Sequence, residues 1–464
     1  MKITFSRIAI SLSAILALSA CNHNKRLADL YTIPNVRTSV PTLNAMAPPG
    51  MIYVPAGTII DKPSITDTAI AGDTSQKRVT VSAFFMDKTE VTNKQYRTFV
   101  DWVADSVAIT DYLKDPKYFV KVDKPKAVKS GGKKGSPAIP EAPIDTNKRI
   151  NWNQIDGREP LWKSTSPEIR NRLINQMVYM ENGELKLNEE KVKYSFTHLV
   201  TNRQGVSKYA TEYIPVLPDT KVWTEDFPNA QMEMMDNNYY TNLGYNDYPV
   251  VGVTWKQARC YINWRSKIFL RQVGPNSIVR TFNLVFNLPT EAQWEYAASY
   301  GMRDTDMNKL AAIHTTVRDQ QNRKKKKDVD ELIVNFKQRE GDYAQDGATT
   351  TMPVKSYAPN KLGLYNMLGN VSEWTLDAFS PSYKEFIHDL NPVLLYDAND
   401  NDSEILRRKV VRGGSWKDNG SMLSPINRSY ELQNVSHSYI GFRCVMPAPD
   451  ITPDQVKTRK IAKL

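Results

Sequence analysis

One stretch of the chain, Asn360–Trp374, carries oxygen-bearing residues at the spacing of a metal loop. Asn366, the backbone carbonyls of Gly369 and Val371, and the carboxylate of Glu373 can turn oxygens towards one point, which is what a hard cation such as calcium takes. Gly363 and Gly369 are expected at positive φ or at a close backbone approach, in a segment too apolar for a surface loop. A buried turn with one carboxylate also has a purely structural reading, and these residues alone leave both open. Other chemistries are poorly furnished. The five histidines, His23, His198, His314, His388 and His437, form no H-x-H or H-x-x-H pair, so each is expected to be an ordinary satisfied or exposed imidazole. No nucleophile elbow, P-loop or metalloprotease motif occurs.

The elements that must position this stretch announce themselves through one repeated device. Thr92-x-x-Gln95, Thr254-x-x-Gln257 and Thr290-x-x-Gln293 each match a capping box, in which the threonine hydroxyl takes the third amide and the glutamine reaches back. Helical periodicity follows each one. Tyr96, Phe99, Val100 and Val103 make the first apolar stripe; Ala258, Tyr261, Ile262, Ile268 and Phe269 make the second; Trp294, Ala297 and Ala298 make the third. These are read as core faces without chemistry.

The chain opens with a charged pair, Lys2 and Arg7, and an apolar run too short to span a bilayer, so residues 1–20 read as a secretory signal. The run ends Leu18-Ser19-Ala20-Cys21, which resembles a bacterial lipoprotein box, with Cys21 as the acylated residue and lipid as the outer-membrane anchor. Asn22 after that cysteine favours the outer membrane by the same analogy. Residues 21–49 read as a tether. A formal charge of +11 admits an acidic partner, lipid headgroups or plain solubility. No nucleic-acid-binding motif accompanies it, and no nucleic acid is expected as a partner. Two segments look inserted: residues 105–245, lysine-rich over Lys121–Lys134 but carrying aromatics such as Trp152, Trp162, Trp223 and Tyr239, and residues 303–334, with the run Arg323–Lys327. The aromatics read as satellite core or as partner anchors; the basic run reads as a solvated face or an acidic docking site.

Seven blocks together resemble the formylglycine-generating enzyme (sulfatase-modifying factor) domain: Met51–Gly57, Phe85–Tyr96, Tyr248–Trp255, Leu288–Tyr296, Asn360–Trp374, Arg412–Trp416 and Gly441–Cys444, in the family's order. The resemblance implies an α+β, C-type-lectin-like fold with much irregular structure and large insertions, one domain over 50–447, and a tail over 448–464. Oxidases of the family hold copper through two cysteines just after the Gly-Gly-Ser-aromatic motif. The matching positions here are Asp418 and Leu423, a hard oxygen ligand and no ligand, where Cu(I) requires soft thiolates; no copper is expected. The histidine-held iron of the sulfoxide synthases lacks its histidine pair. The family's structural calcium site falls on Asn366, Gly369, Val371 and Glu373, and a second on Asn335, Phe336, Asp346 and Ala348 with altered spacing. A family disulfide would join Cys444 to the position of Ile262, so Cys260, about 200° round the helix and off its apolar stripe, is not expected to pair with it.

With its leader, inserts and missing thiolates, the chain resembles the GldK/PorK-type lipoproteins of gliding motility and type IX secretion, with the GldJ type close by. That resemblance implies a non-catalytic scaffold facing the periplasm, self-association into a ring, and a GldN/PorN-type periplasmic partner. The alternatives are a periplasmic metal-dependent oxidase or maturation enzyme with an altered site, and a calcium-dependent glycan-binding module.

Overall fold

The computed structural model describes residues 47–449 except 65, 68–74, 121–149, 156–157, 202–206, 275–276, 302–313, 319–327 and 333. Cys21, the signal, most of the tether, both lysine-rich runs and the tail beyond 449 lie outside the described residues.

The architecture is mixed helix and strand with much irregular chain. Strands β1 (Met51–Val54), β2 (Gly57–Asp61), β3 (Lys77–Val81) and β4 (Phe84–Asp87) lead into helix α1 (Asn93–Val107). Helix α2 (Pro167–Leu173), the hairpin β5 (Val178–Glu181) and β6 (Glu184–Leu187), and the ribbon β7 (Lys193–Thr201) and β8 (Ser207–Pro215) follow. Helices α3 (Trp255–Gln272) and α4 (Glu291–Ser299) precede the pair β9 (His314–Arg318) and β10 (Asp328–Leu332). The last strands are β11 (Ser372–Ala378), β12 (Arg408–Arg412), β13 (Arg428–Leu432), β14 (Ile440–Gly441) and β15 (Val445–Pro447).

The chain divides into two compact units, one over residues 100–193 and one made of the described residues up to 99 and from 194 onward. The long insert expected over 105–245 therefore splits: its first part forms the smaller unit, and its remainder belongs to the larger one. Inside the smaller unit, Trp102 stacks on Trp152 at 4.3 Å, Trp162 donates to Asp101, and Arg172 caps the Leu113 carbonyl. The insert's other aromatics, Trp223 and Tyr239, are buried with Val251, Val371 and Trp416 in a core cluster of the larger unit.

The larger unit is built on two sheets. One has the order β1-β4-β15 and is antiparallel throughout. The other has the order β13-β12-β11-β14, with β14 parallel to β11 so that Glu373 lies beside Gly441. All three capping boxes form, each with both reciprocal bonds. The apolar residues of each predicted stripe are buried. Trp294 from α4 packs with Val54, Phe84, Leu364 and Leu423 in the main core, while Tyr96, Phe99, Tyr261, Trp264 and Phe442 form a chain of edge, stacked and tilted ring contacts.

One expectation is corrected. Cys260 is fully buried rather than off the core face of α3, because Tyr194 of β7 lies near it along with Tyr96, giving this helix a second buried side. Cys260 and Cys444 are both free thiols.

Candidate functional site

The Asn360–Trp374 stretch coils inward because four of its residues, Gly363 among them, adopt left-handed backbone. Gly369 has φ 75°, and a Cβ there would meet the Asn335 carbonyl oxygen at 2.4 Å, so only glycine fits. Asn366 and Asn370 also take positive φ, at 49° and 60°, a conformation asparagine tolerates better than most residues. The loop delivers Glu373 onto β11, fully buried. There its carboxylate meets Arg443, which follows β14. Arg443 Nε lies 2.9 and 2.7 Å from the two carboxylate oxygens and Nη2 lies 2.6 Å from Oε1. Trp294 Nε1 donates to Oε2 at 2.8 Å. The remaining guanidinium donors reach the carbonyls of Asp87 and Tyr365. A second buried pair, Arg265 with Asp87, adjoins it at 2.6 and 2.8 Å.

Glu90 completes this nest. It is fully buried, and the side-chain amides of Asn366 and Asn370 donate to it at 3.0 and 2.9 Å. Burial pushes its carboxyl up to about 7, against the pull of the Arg443 charge. Sequence reasoning assigned no role to Glu90 or Arg443, and it read Trp294 as core without a hydrogen-bonding part. All three sit inside the quoted blocks, but their partners lie far along the chain, and residue type alone does not reveal pairing at that range.

Tested as a calcium shell, Asn366, Gly369, Val371 and Glu373 offer suitable ligand types: one carboxylate, one carboxamide and two carbonyls. In charge the set is already met, since both Glu373 oxygens are engaged by Arg443 and Trp294. An ion there would share that carboxylate with a guanidinium and rest mainly on neutral oxygens. Such a shell belongs with weak sites, of roughly 10⁻⁴ to 10⁻³ M. At the second set, the Asp346 carboxylate accepts from the backbone amides of Phe336 and Ala348, both at 3.0 Å, and Asn335 joins the first set through Asn370. Among the described residues, no cluster of three or more histidine, cysteine, aspartate or glutamate side chains is arranged to hold a metal ion.

Residues 37–448 match the model of the sulfatase-modifying factor enzyme 1-like domain. The chain belongs to this family. It is 30% identical over 221 residues to the formylglycine-generating enzyme of Streptomyces coelicolor, covering 45% of this chain and 55% of the relative. It is equally 30% identical over 211 residues to the inactive C-alpha-formylglycine-generating enzyme 2 of Bos taurus, covering 44% and 51%. The chain thus spans about half the length of these curated relatives. Among solved structures, PvdO from Pseudomonas aeruginosa aligns over 86% of this chain and 94% of its own at 15% identity and a TM-score of 0.39.

Within this sulfatase-modifying factor domain, the two positions that the resemblance assigns to copper cysteines have structural employment. Leu423 is fully buried in the main core beside Trp294. Asp418 closes a local turn: Oδ2 accepts from the Ser415 amide at 2.9 Å and its hydroxyl at 2.7 Å, and Oδ1 pairs with Lys417 at 2.8 Å. Burial raises the thiols of Cys260 and Cys444 far above their ordinary range, which suppresses the thiolate that metal binding and nucleophilic attack need.

The described histidines are dispersed. His198 is buried 3.2 Å from Glu212, and His388 is exposed beside Asp389. His314 lies on β9, opposite Leu332 of β10. His437 is clamped, with Nδ1 2.6 Å from Asp226, Nε2 2.9 Å from Glu431, and its ring stacked on Tyr439. Burial works against its charge, but the two carboxylates outweigh that and raise it to about 9.

Two outcomes follow. Replacing Arg443 by Met strands a buried carboxylate and is expected to cost about 3–5 kcal/mol in urea unfolding, part of it recovered in the R443M/E373Q double variant; a cost below about 1 kcal/mol would show that the pair is not central. The His437 clamp contributes fully below pH 6.5 and loses its contribution as pH rises through about 9. The stability difference between the parent and His437→Gln should therefore shrink between those values, and a difference flat from pH 6 to 9.5 would remove the charged-histidine reading.

Proposed function

We propose that this chain is a non-catalytic member of the sulfatase-modifying factor family. In this reading it is held to the outer membrane by lipid on Cys21, faces the periplasm, and serves as a ring-forming scaffold of the type IX secretion and gliding-motility machinery, as the resemblance to GldK/PorK-type lipoproteins implies. Its partners are copies of itself and a GldN/PorN-type periplasmic protein. Its domain is of the C-type-lectin-like kind that the family resemblance implies.

The observation that carries it is the fate of the copper positions. Asp418 is tied into a turn and Leu423 into the core, and Cys260 and Cys444, the other cysteines beyond Cys21, are buried with their thiols held protonated. Cysteine-based oxidation at this place would need soft ligands that the chain does not present. The match to a relative that is itself named inactive supports the same direction. Calcium at the Asn366–Glu373 loop would act as a structural pin, adding little charge compensation because Arg443 already supplies it.

The test is mild-detergent extraction of the native protein from envelopes, followed by gel filtration, mass spectrometry and elemental analysis. A very large particle containing one periplasmic partner near equal stoichiometry is expected. A lone monomer without a partner after crosslinking overturns the scaffold. For calcium, a rise of a few degrees in Tm at millimolar but not micromolar calcium is expected; identical melting with chelator and with ~5 mM calcium excludes the pin.

A further inference from the structure

Strand β2 and the last turn of α4 border a cavity of about 320 Å³ that the scaffold reading leaves without a role. Its walls include Thr58 and Ile60 from the strand, Tyr296 and Tyr300 from the helix end, and Ile426, with Glu295 among the lining residues. A volume of this size suits a small ligand or one side chain. The two tyrosine rings stand edge to face, 5.9 Å apart at 85°.

Glu295 gives the cavity its chemical character. Its Oε2 is bound by Arg412 Nη2, which fixes the carboxyl in place. Behind Glu295 lies a buried charged network. Arg412 also lies 3.5 Å from Glu291, Glu291 pairs with Arg428 at 2.7 and 2.8 Å, Arg428 reaches Asp67 at 3.1 Å, and Lys384 lies 3.6 Å from Asp61. Four acids, Asp61, Asp67, Glu291 and Glu295, thus meet three bases, Arg412, Arg428 and Lys384. Acids outnumber bases here, Asp377 also accepting from the Glu291 amide at 2.8 Å, and burial pushes the Glu295 carboxyl up to about 8, which favours its protonated form. A cation in the cavity would take that proton's place.

The lining decides which cation. A metal ion would find one carboxylate and no further acidic or imidazole ligand on these walls. An ammonium needs less: a single counter-ion, aromatic faces for cation–π attraction, and an apolar wall for its alkyl part. Tyr296, Tyr300 and Ile60 supply the last two. Lys62, also on the lining, repels cations, a polycation more strongly than a monocation.

We propose that this cavity binds a compact monocationic amine, with Glu295 as its counter-ion and Tyr296 and Tyr300 as its aromatic walls. The amine is either a free small molecule or the lysine side chain of a protein.

Calorimetry on the full chain in detergent, with n-butylamine and its neutral counterpart n-butanol, tests this. One-to-one binding of the amine, about tenfold or more tighter than the alcohol, is expected. Glu295→Gln keeps an oxygen for Arg412 and should weaken the amine at least about tenfold. Because that variant touches the buried network, Thr58→Trp at the exposed rim is the independent check: it should block the amine while leaving Tm unchanged. A capped tripeptide with one central lysine separates the sources, since it competes with n-butylamine only if a side chain can enter. Equal affinity for amine and alcohol, amine binding that survives both substitutions, or no amine binding up to ~10 mM each overturns the assignment.

Discussion

The larger unit depends on one buried ion pair. Arg443 and Glu373 are both inaccessible to water, and removing two such charges from solvent costs several kcal/mol each unless every donor and lone pair is met. Here they are met by groups from separate parts of the chain: the indole of α4, the carbonyl of Asp87 at the end of β4, and the carbonyl of Tyr365 in the inward loop. The pair is satisfied only when the sheet β13-β12-β11-β14, helix α4 and strand β4 stand in one arrangement. Its value lies in selecting that arrangement as much as in net stability.

The same logic extends outward. Arg265 and Asp87 form a second buried pair and bring the Cys444 amide to the same carboxylate. The Glu291–Arg428–Asp67 and Glu295–Arg412 contacts repeat the pattern at the carboxylates of α4. A domain with short strands and long irregular connections cannot rely on sheet ladders to hold its loops, so it uses buried polar networks that are costly to break. None of these networks runs through Asp418 or Leu423, the positions that the resemblance assigns to copper. Asp418 and Leu423 are satisfied locally and by apolar packing, so the domain holds together without a metal-binding pair of thiolates.

Much of this was legible in the residues. The three capping boxes, the apolar stripes of α1, α3 and α4, and the left-handed glycines Gly363 and Gly369 all appear where the sequence places them. Each is decided within a few residues: a threonine and a glutamine three apart, a 3.6-residue period, a backbone angle only glycine takes easily. Asn366 and Glu373 are both buried, and the turn that carries them inward is local.

The partners were not legible, since they come from elsewhere in the chain. That Glu373 is committed to Arg443, that Glu90 is held by two asparagine amides, and that Glu295 is bound by Arg412 at the edge of a cavity all depend on contacts spanning tens to hundreds of residues. Cys260 illustrates the same limit: its angle on α3 was right, but the helix has a second buried side supplied by β7. By itself the sequence determined the three capped helices, their caps and the inward loop, because those are properties of neighbouring residues. Tertiary structure alone decided which charges are paired and which cavity stays open, because desolvation acts on whatever the fold brings together.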